Sequence, residues 1–223
     1  KNLKNSTYLT LKEKLINCIY PPGTILNEIQ LAEDFGLSRT PVREAISRLE
    51  MDGYVKVMPK KGIYVTDISL NDVHQIFQTR IEIEPIALKL AAPYLETDEL
   101  IMFRNRFEHD TPDIINAFRL DTAMHLFIIE HCGNRYMVDV MHRVYDISSR
   151  IVYFVHQNHA TVHVEAGENL EILKLLLEDN VDTATEKMKV HIEHCRMAAL
   201  NYFYTIPQAA PAQTYREKLY KKQ

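Results

Sequence analysis

The stretch Leu31-Ala32-Glu33-Asp34-Phe35-Gly36-Leu37-Ser38-Arg39-Thr40-Pro41-Val42-Arg43-Glu44-Ala45-Ile46 decides the fold of the first part of this chain. It describes two short helices joined by a tight turn. Ala32 is small where the second helix must cross the first at close range. Gly36, four residues on, can take the positive φ that such a turn needs. Ser38 or Thr40 can cap the following helix, and Pro41 falls in its first turn, where a missing N–H costs little. Val42, Ala45, Ile46 and Leu49 then form an apolar stripe. Arg39, Thr40, Arg43, Ser47 and Arg48 are left on or near the outward face. A helix with such a face fits the major groove, where arginine bonds guanine at two atoms and hydroxyls bond phosphate.

Just beyond, residues 54–58 and 63–66 alternate apolar and polar like the two strands of a hairpin, with Pro59-Lys60-Lys61-Gly62 between them. Two lysines on a short hairpin beside a recognition helix suit a wing that touches backbone or minor groove. A lone hairpin of this kind is ordinarily just a charged turn. Helix, turn, helix and wing in this order carry far more weight together.

Charge follows the same division. Residues 1–66 hold ten Lys/Arg and seven Asp/Glu, a net +3, and the remainder holds 16 and 23, a net −7. A basic module joined to an acidic one is what a localised phosphate-binding surface produces. Hydrophobic residues at 46% with 25% charged describe a folded chain, not a disordered one. No apolar run approaches the roughly 18 residues of a membrane span, and the start at Lys1–Thr10 lacks the apolar core of a signal peptide. Cys18, Cys132 and Cys195 are far apart, odd in number and without a CxxC pair. Unpaired thiols in a reducing cytoplasm, with no membrane partner, are the expectation.

The texture changes near Thr66–Ser69. After it the apolar residues recur at a 3.6-residue period, and six helices are expected. The first runs over about 70–92, capped by Ser69, with Val73, Ile76, Phe77, Ile81 and Leu88 among its apolar positions. A second opens at Thr97-Asp98-Glu99. A third opens at Pro112-Asp113 and stops at Gly133-Asn134. The others span about 134–158, 163–179 and 181–204. The expected organisation is therefore 1–67 as a winged helix-turn-helix, 68–205 as an all-helical antiparallel bundle and 206–223 as a tail. The fold class is mainly α.

In the third of these helices Asp121 and His125 stand four residues apart on one face, beside the apolar Phe118, Ile128 and Ile129. In the last, Ala184, Met188, His191, Ile192 and Cys195 form the buried stripe, so His191 points inward too. A lone inward histidine is ordinarily a satisfied core residue. A buried carboxylate and two imidazoles from different helices need hydrogen-bond partners or a metal. The remaining histidines His74, His109, His131, His142, His156 and His194 belong on surfaces or at helix ends.

The run Pro22-Gly23, Leu31-Ala32, Ser38-Arg39-Thr40-Pro41-Val42-Arg43-Glu44-Ala45, Leu49, Gly53 and Lys61-Gly62 resembles the winged helix of GntR-type bacterial regulators over about residues 9–66. The resemblance implies that Arg39, Thr40 and Arg43 contact bases and phosphates, with Gly62 at the wing tip. Ser38, Arg48, Lys60 and Lys61 flank them as further DNA-binding positions. Some relatives carry an arginine at the start of the second helix, where this chain has Ile29 or Gln30.

Residues 70–204 resemble the all-helical FCD effector domain of FadR-type members. The resemblance rests on Arg80-x-x-Ile83-Glu84-Pro85 with Ala91-Ala92, Asp121-x-x-x-His125, Gly133-Asn134, Glu168-Asn169-x-x-Ile172 and Met188-x-x-His191. It implies a metal site at Asp121, His125, Asn169 and His191, holding a divalent transition metal: Zn2+ first, with Ni2+ or Mn2+ as alternatives. Asn169 stands where the family usually has histidine, and an amide oxygen is a harder, weaker ligand than an imidazole nitrogen. It would ligate through its oxygen, hold a metal-bound water, or leave a weakened site, with His159 and His163 as nearby substitutes. Arg80 is implied to line the cavity and bind an effector carboxylate at two atoms. On its residues alone it reads equally as an intrahelical partner of Glu84.

The function implied is a ligand-responsive regulator, a repressor in the first instance. It would bind a pseudo-palindromic operator in double-stranded DNA as a homodimer and sense a small organic acid near the metal. Two other readings have a basis in the residues: a metal-dependent hydrolase on a helical bundle with an accessory DNA-binding module, and a metal-free bundle that takes a fatty-acyl effector. No carboxylate base beside the ligands, nucleophile elbow or glycine-rich phosphate loop supports the hydrolase, so no enzyme activity is expected.

Overall fold

The computed structural model describes residues 3–109, 113–158 and 166–205. They fall into two units, whose described parts are residues 3–69 and Leu70–Thr205. Among the described residues there are nine α-helices and one small sheet. The expected tail, Pro112, and His159 and His163 lie outside the described residues.

The first unit runs α1 (Leu3–Ile16), β1 (Ile25–Leu26), α2 (Glu28–Asp34), α3 (Arg39–Met51), β2 (Val55–Met58) and β3 (Gly62–Val65). The expected stripe of α3 (Val42, Ala45, Ile46 and Leu49) is buried, together with Leu31 and Ala32 of α2 and Tyr54, Ile63 and Val65 of the hairpin. Gly36 turns the chain between α2 and α3 at φ +62°. Two elements were not anticipated. α1 repeats Tyr8, Leu11 and Leu15 at helical spacing and buries them on α3, and the Tyr8 hydroxyl donates to Asp52 Oδ2 at 2.6 Å. β1 adds a strand beside β3, so the sheet order is β1-β3-β2, antiparallel throughout.

The capping expectation holds only in position. Ser38 takes the N-cap place of α3 with extended backbone, but its side chain makes no capping bond, and Thr40 lies inside the helix. The side-chain cap falls one helix earlier, where Asn27 Oδ1 accepts from the amides of Ile29 and Gln30 at 2.8 and 3.3 Å.

The wing also differs in one respect. Gly62 opens β3 opposite Met58, so the tip is Pro59-Lys60-Lys61, closed by the Lys61 amide donating to the Met58 carbonyl at 3.0 Å. Lys60 takes the left-handed conformation at φ +63°. A glycine is needed at 62 because β1 crosses there. A Cβ would stand 2.7 Å from the Leu26 carbonyl oxygen and 2.9 Å from Ile25 Cγ2, at φ +112°.

The second unit is helical. It comprises α4 (Leu70–Ala91), a 3-10 turn (Ala92–Tyr94), α5 (Thr97–His109), α6 (Ile114–Glu130), α7 (Arg135–Gln157), α8 (Ala166–Leu177) and α9 (Val181–Thr205). α4 packs on α6, α7 and α9, and α8 packs on α5 and α9. Phe77, Leu88, Met124, Ile128, Met141, Ile151, Ile172 and Ile192 are fully buried between them. α6 stops at Glu130, short of Gly133-Asn134, because Asn134 belongs to the next helix: its Oδ1 accepts from the amides of Tyr136 and Met137.

Gly62→Ala is expected to cost about 1–3 kcal/mol, from strain plus the clash with β1. Gly36→Ala meets open space and loses only about 1 kcal/mol, for the left-handed backbone. Urea unfolding of both variants checks this, and equal losses would contradict the close approach at Gly62.

Candidate functional site

Burial of one face of α3 leaves the other in solvent. Ser38, Arg39, Thr40, Arg43, Ser47 and Arg48 are all exposed, as are Lys60 and Lys61 on the wing. The Arg39 and Arg43 side chains keep 57% and 63% of their surface open while sharing a single carboxylate. Arg39 Nε donates to Glu28 Oε1 at 3.0 Å; Arg43 donates from Nη2 to Oε1 at 2.8 Å and from Nε to Oε2 at 3.2 Å. The hydrogen bond from Arg43, with Arg39 behind it, holds the Glu28 carboxyl below its ordinary range despite slight burial. Arg48 is turned toward α1: its guanidinium carbon lies 3.8 Å from the centre of the Tyr8 ring, and Nη1 donates to Asn5 Oδ1. Glu28 was not singled out from sequence. Its only signal was an acid in the first turn of α2, which helix-dipole considerations already account for.

In the second unit, α6 and α9 bring Asp121, His125 and His191 together. All three are buried, with ligand-type atoms within 4.8 Å of one another. His191 Nε2 lies 3.1 Å and His125 Nε2 3.7 Å from Asp121 Oδ1, and the two rings stack at 5.2 Å. The opposite nitrogens explain the arrangement. His125 Nδ1 meets Glu84 Oε2 at 2.6 Å, and His191 Nδ1 meets Glu168 Oε2 at 2.8 Å. A carboxylate only accepts, so each Nδ1 carries a proton and each ring turns its Nε2 toward Asp121, the side on which a further proton or a cation must sit. Three electron-rich atoms then face one another out of reach of water, an arrangement that calls for a cation or a proton.

Protonation reflects this. Burial lowers the affinity of His191 for a proton, but Cys195 and Asp121 beside Nε2 reverse the effect and hold it well above the ordinary histidine range. Burial raises Asp121, yet His125 and His191 hold its carboxyl well below the ordinary range. Two buried atoms at the cluster, His125 Nε2 and Asn169 Oδ1, have no hydrogen-bond partner among the described residues. Asn169 is fully buried beside Asp121, but its Nδ2, not its oxygen, faces Oδ1 at 2.8 Å. Ligation through the amide oxygen therefore requires a half-turn of the amide. The donor set, the converging lone pairs and the two orphaned atoms fit a divalent metal.

Arg80 is buried on α4, and its Nε donates to Glu84 Oε1 at 2.6 Å. Nη1 reaches Ser148 Oγ at 3.2 Å, and Nη2 reaches the Tyr145 hydroxyl at 2.8 Å. The carboxylate in its fork is thus the chain's own. Burial raises the Glu84 carboxyl, but Arg80 and then His125 outweigh it and bring it down to about 2. Burial and the neighbouring Glu84 hold the Tyr145 hydroxyl well above its ordinary range despite Arg80. The intrahelical pairing of Arg80 with Glu84 read from their spacing is present, whereas Glu168 enters the sequence reading only as part of a longer motif. The contacts of Glu84 and Glu168 with the histidines join different helices, so spacing could not reveal them.

An exposed recognition helix with a lysine-tipped wing, and a separate helical unit with a buried Asp-His-His cluster, define a two-part regulator. The family described as bacterial regulatory proteins, gntR family, matches residues 3–65, and the FCD domain matches residues 75–194. The chain belongs to the GntR family of transcription regulators, with an FCD domain. It is 28% identical over 195 residues to the HTH-type transcriptional regulator YdhC of Bacillus subtilis (strain 168), covering 84% of this chain and 86% of that protein. It is 23% identical to the HTH-type transcriptional repressor RspR of Escherichia coli (strain K12), covering 83% and 84%. Among solved structures, a GntR transcriptional regulator from Rhodococcus sp. RHA1 superposes with a TM-score of 0.76 at 17% identity, covering 90% of this chain and 99% of that one. E. coli McbR/YncC superposes with 0.74 at 20% identity, covering 92% and 100%. YdhC and RspR are named as transcriptional regulators, and the hydrolase alternative finds no support in them. No helix among the described residues is long and apolar enough to cross a membrane.

Glu84→Gln removes the charge that compensates buried Arg80 and is expected to cost about 3–5 kcal/mol at neutral pH. The Glu84 carboxyl titrates at about 2 in the fold against an ordinary 4.5. Its contribution is therefore complete above 4.5 and fades as pH falls toward 2. Unfolding of wild type and variant across that window should converge; a gap independent of pH would contradict the assignment.

Proposed function

We propose that this protein is a homodimeric, ligand-responsive repressor that binds a pseudo-palindromic operator in double-stranded DNA and acts in the cytoplasm. The observation that carries this is the polar face of α3, where Arg39 and Arg43 stay more than half exposed while the opposite face is locked in the core. A twofold axis would offer two such helices to successive major-groove faces of one duplex. Arg43 and Arg39 exchange the Glu28 carboxylate for guanine edges or phosphate oxygens. Ser38 and Thr40 bond phosphate, Arg48 follows the flanking backbone, and Lys60 and Lys61 bring the wing to the backbone or minor groove. The sign of regulation follows the relative named a repressor.

The helical unit is the sensor. Asp121, His125 and His191 hold a divalent transition metal, Zn2+ first, and Asn169 completes the set through its turned amide or through a water. When bound, the ion supplies an electrophilic anchor for one oxygen of a small carboxylate effector. Glu84 and Glu168 keep the imidazoles aligned. The fork of Arg80 is closed by Glu84, Tyr145 and Ser148, so an effector carboxylate reaches Arg80 by exchanging one of those bonds. Regulation requires that the effector bind the DNA-competent and DNA-released states with different affinity.

Arg43→Ala should weaken binding by about 1–3 kcal/mol if it reads a guanine. Gel-shift titration on duplexes selected from a random pool by the wild-type protein tests this, with thermal unfolding unchanged. Equal affinity for the selected duplexes would reject the groove contact. His191→Ala should lose the metal on elemental analysis, and Glu168→Ala should weaken Zn2+ binding by about 10–100-fold. A His191→Ala protein that retains a full complement of metal would rule out its role as ligand.

A further inference from the structure

We propose that Cys195 is a further donor at this metal centre, making it a mixed thiolate, imidazole and carboxylate site that prefers Zn2+ and Co2+ to Mn2+. The proposal rests on the metal reading given above. Cys195 follows His191 by four residues on α9, one turn along the same face. Its Sγ lies 3.6 Å from His191 Nε2, the same nitrogen that stands 3.1 Å from Asp121 Oδ1. Metal bonds of about 2.0–2.1 Å to nitrogen and 2.3 Å to sulfur put two donors of one tetrahedral ion about 3.5 Å apart. Cys195 and His191 therefore already have the separation of two ligands sharing an ion. The thiol touches the Asp121, His125 and His191 set through His191, but its Sγ lies outside the group whose ligand atoms are all within 4.8 Å of one another, so donation requires Cys195 to close on an ion held by the other three.

Two observations independent of the cysteine point to a cation here. His125 Nε2 and Asn169 Oδ1 belong to residues 1% and 0% exposed, and neither atom has a hydrogen-bond partner among the described residues. Asn169 is also the weak member of the set, because an amide oxygen is a poor substitute for an imidazole and its nitrogen is the atom facing Asp121. A thiolate one turn beyond His191 supplies the strong donor that Asn169 lacks. It also changes selectivity, because soft sulfur favours zinc-like ions and disfavours Mn2+, which suits oxygen ligands. The other thiols stand apart: Cys18 belongs to the first unit, and Cys132 Sγ faces the Asn134 carbonyl at 3.8 Å.

Titration of the full-length, metal-stripped protein with cobalt chloride tests the proposal. The expected result is a near-ultraviolet thiolate-to-cobalt charge-transfer band that saturates at one ion per chain. It should vanish in Cys195→Ser and Cys195→Ala and persist in Cys132→Ser. Zn2+ affinity, measured by competition with a chromophoric chelator, should fall at least about tenfold in Cys195→Ser, and Mn2+ affinity should hardly change. Zn2+ should also protect Cys195 from iodoacetamide. Cobalt bound stoichiometrically without the band, or a band that survives Cys195→Ser, would overturn the donor role and leave the Asp-His-His site standing. Wild-type protein that takes up no cobalt or zinc would overturn the metal reading itself.

Discussion

The helical unit depends on the contact of two carboxylates with the far sides of two imidazoles. Glu84 and Glu168 accept from the Nδ1 nitrogens of His125 and His191, and this turns both Nε2 atoms toward Asp121. Without those acids the rings could choose either tautomer, and the centre would have no defined polarity. With them, a buried point that accepts a proton or a cation is built into the fold.

That locus lies within a longer polar chain. Ser148 and Tyr145 on α7 meet Arg80 on α4; Arg80 meets Glu84; Glu84 meets His125 on α6; Asp121 meets His191 on α9; and His191 meets Glu168 on α8. Five of the six helices of the unit contribute to one buried network. Networks of this kind are strong when every member is satisfied and costly when one is not. An occupant at the centre would alter bonds that reach from α7 to α8, the physical property a sensing domain needs. The same economy governs the exposed face of α3. Glu28 holds Arg39 and Arg43 across α2 and α3, and under the proposed function a duplex must offer those guanidinium groups something better than one carboxylate.

Much of this was legible from residue order. The apolar stripe Val42, Ala45, Ile46 and Leu49, the glycine turn at 36 and the hairpin of alternating residues each carry a local periodicity, and local periodicity survives in sequence. So does the Asp121-x-x-x-His125 spacing, because one turn of helix defines it. The bounds of the later helices were legible to within a few residues: about 70–92, 134–158 and 181–204 were expected, against Leu70–Ala91, Arg135–Gln157 and Val181–Thr205. Asn134, read both as the stop of α6 and as the start of the next helix, caps α7.

Local order thus determined the element types, the open arginine face and which histidines point inward. Only the tertiary structure decided the partners: Glu28 for the arginines, Glu84 and Glu168 for the histidines, β1 against Gly62, and Asp121 beside His191. Most of these pairs join residues on different elements, and their distances depend on how helices pack and strands register. Even the Asp121 and His125 pair, one turn apart on α6, owes its meeting with His191 to the packing of α6 against its neighbours, because spacing along a helix fixes a face and not what that face meets.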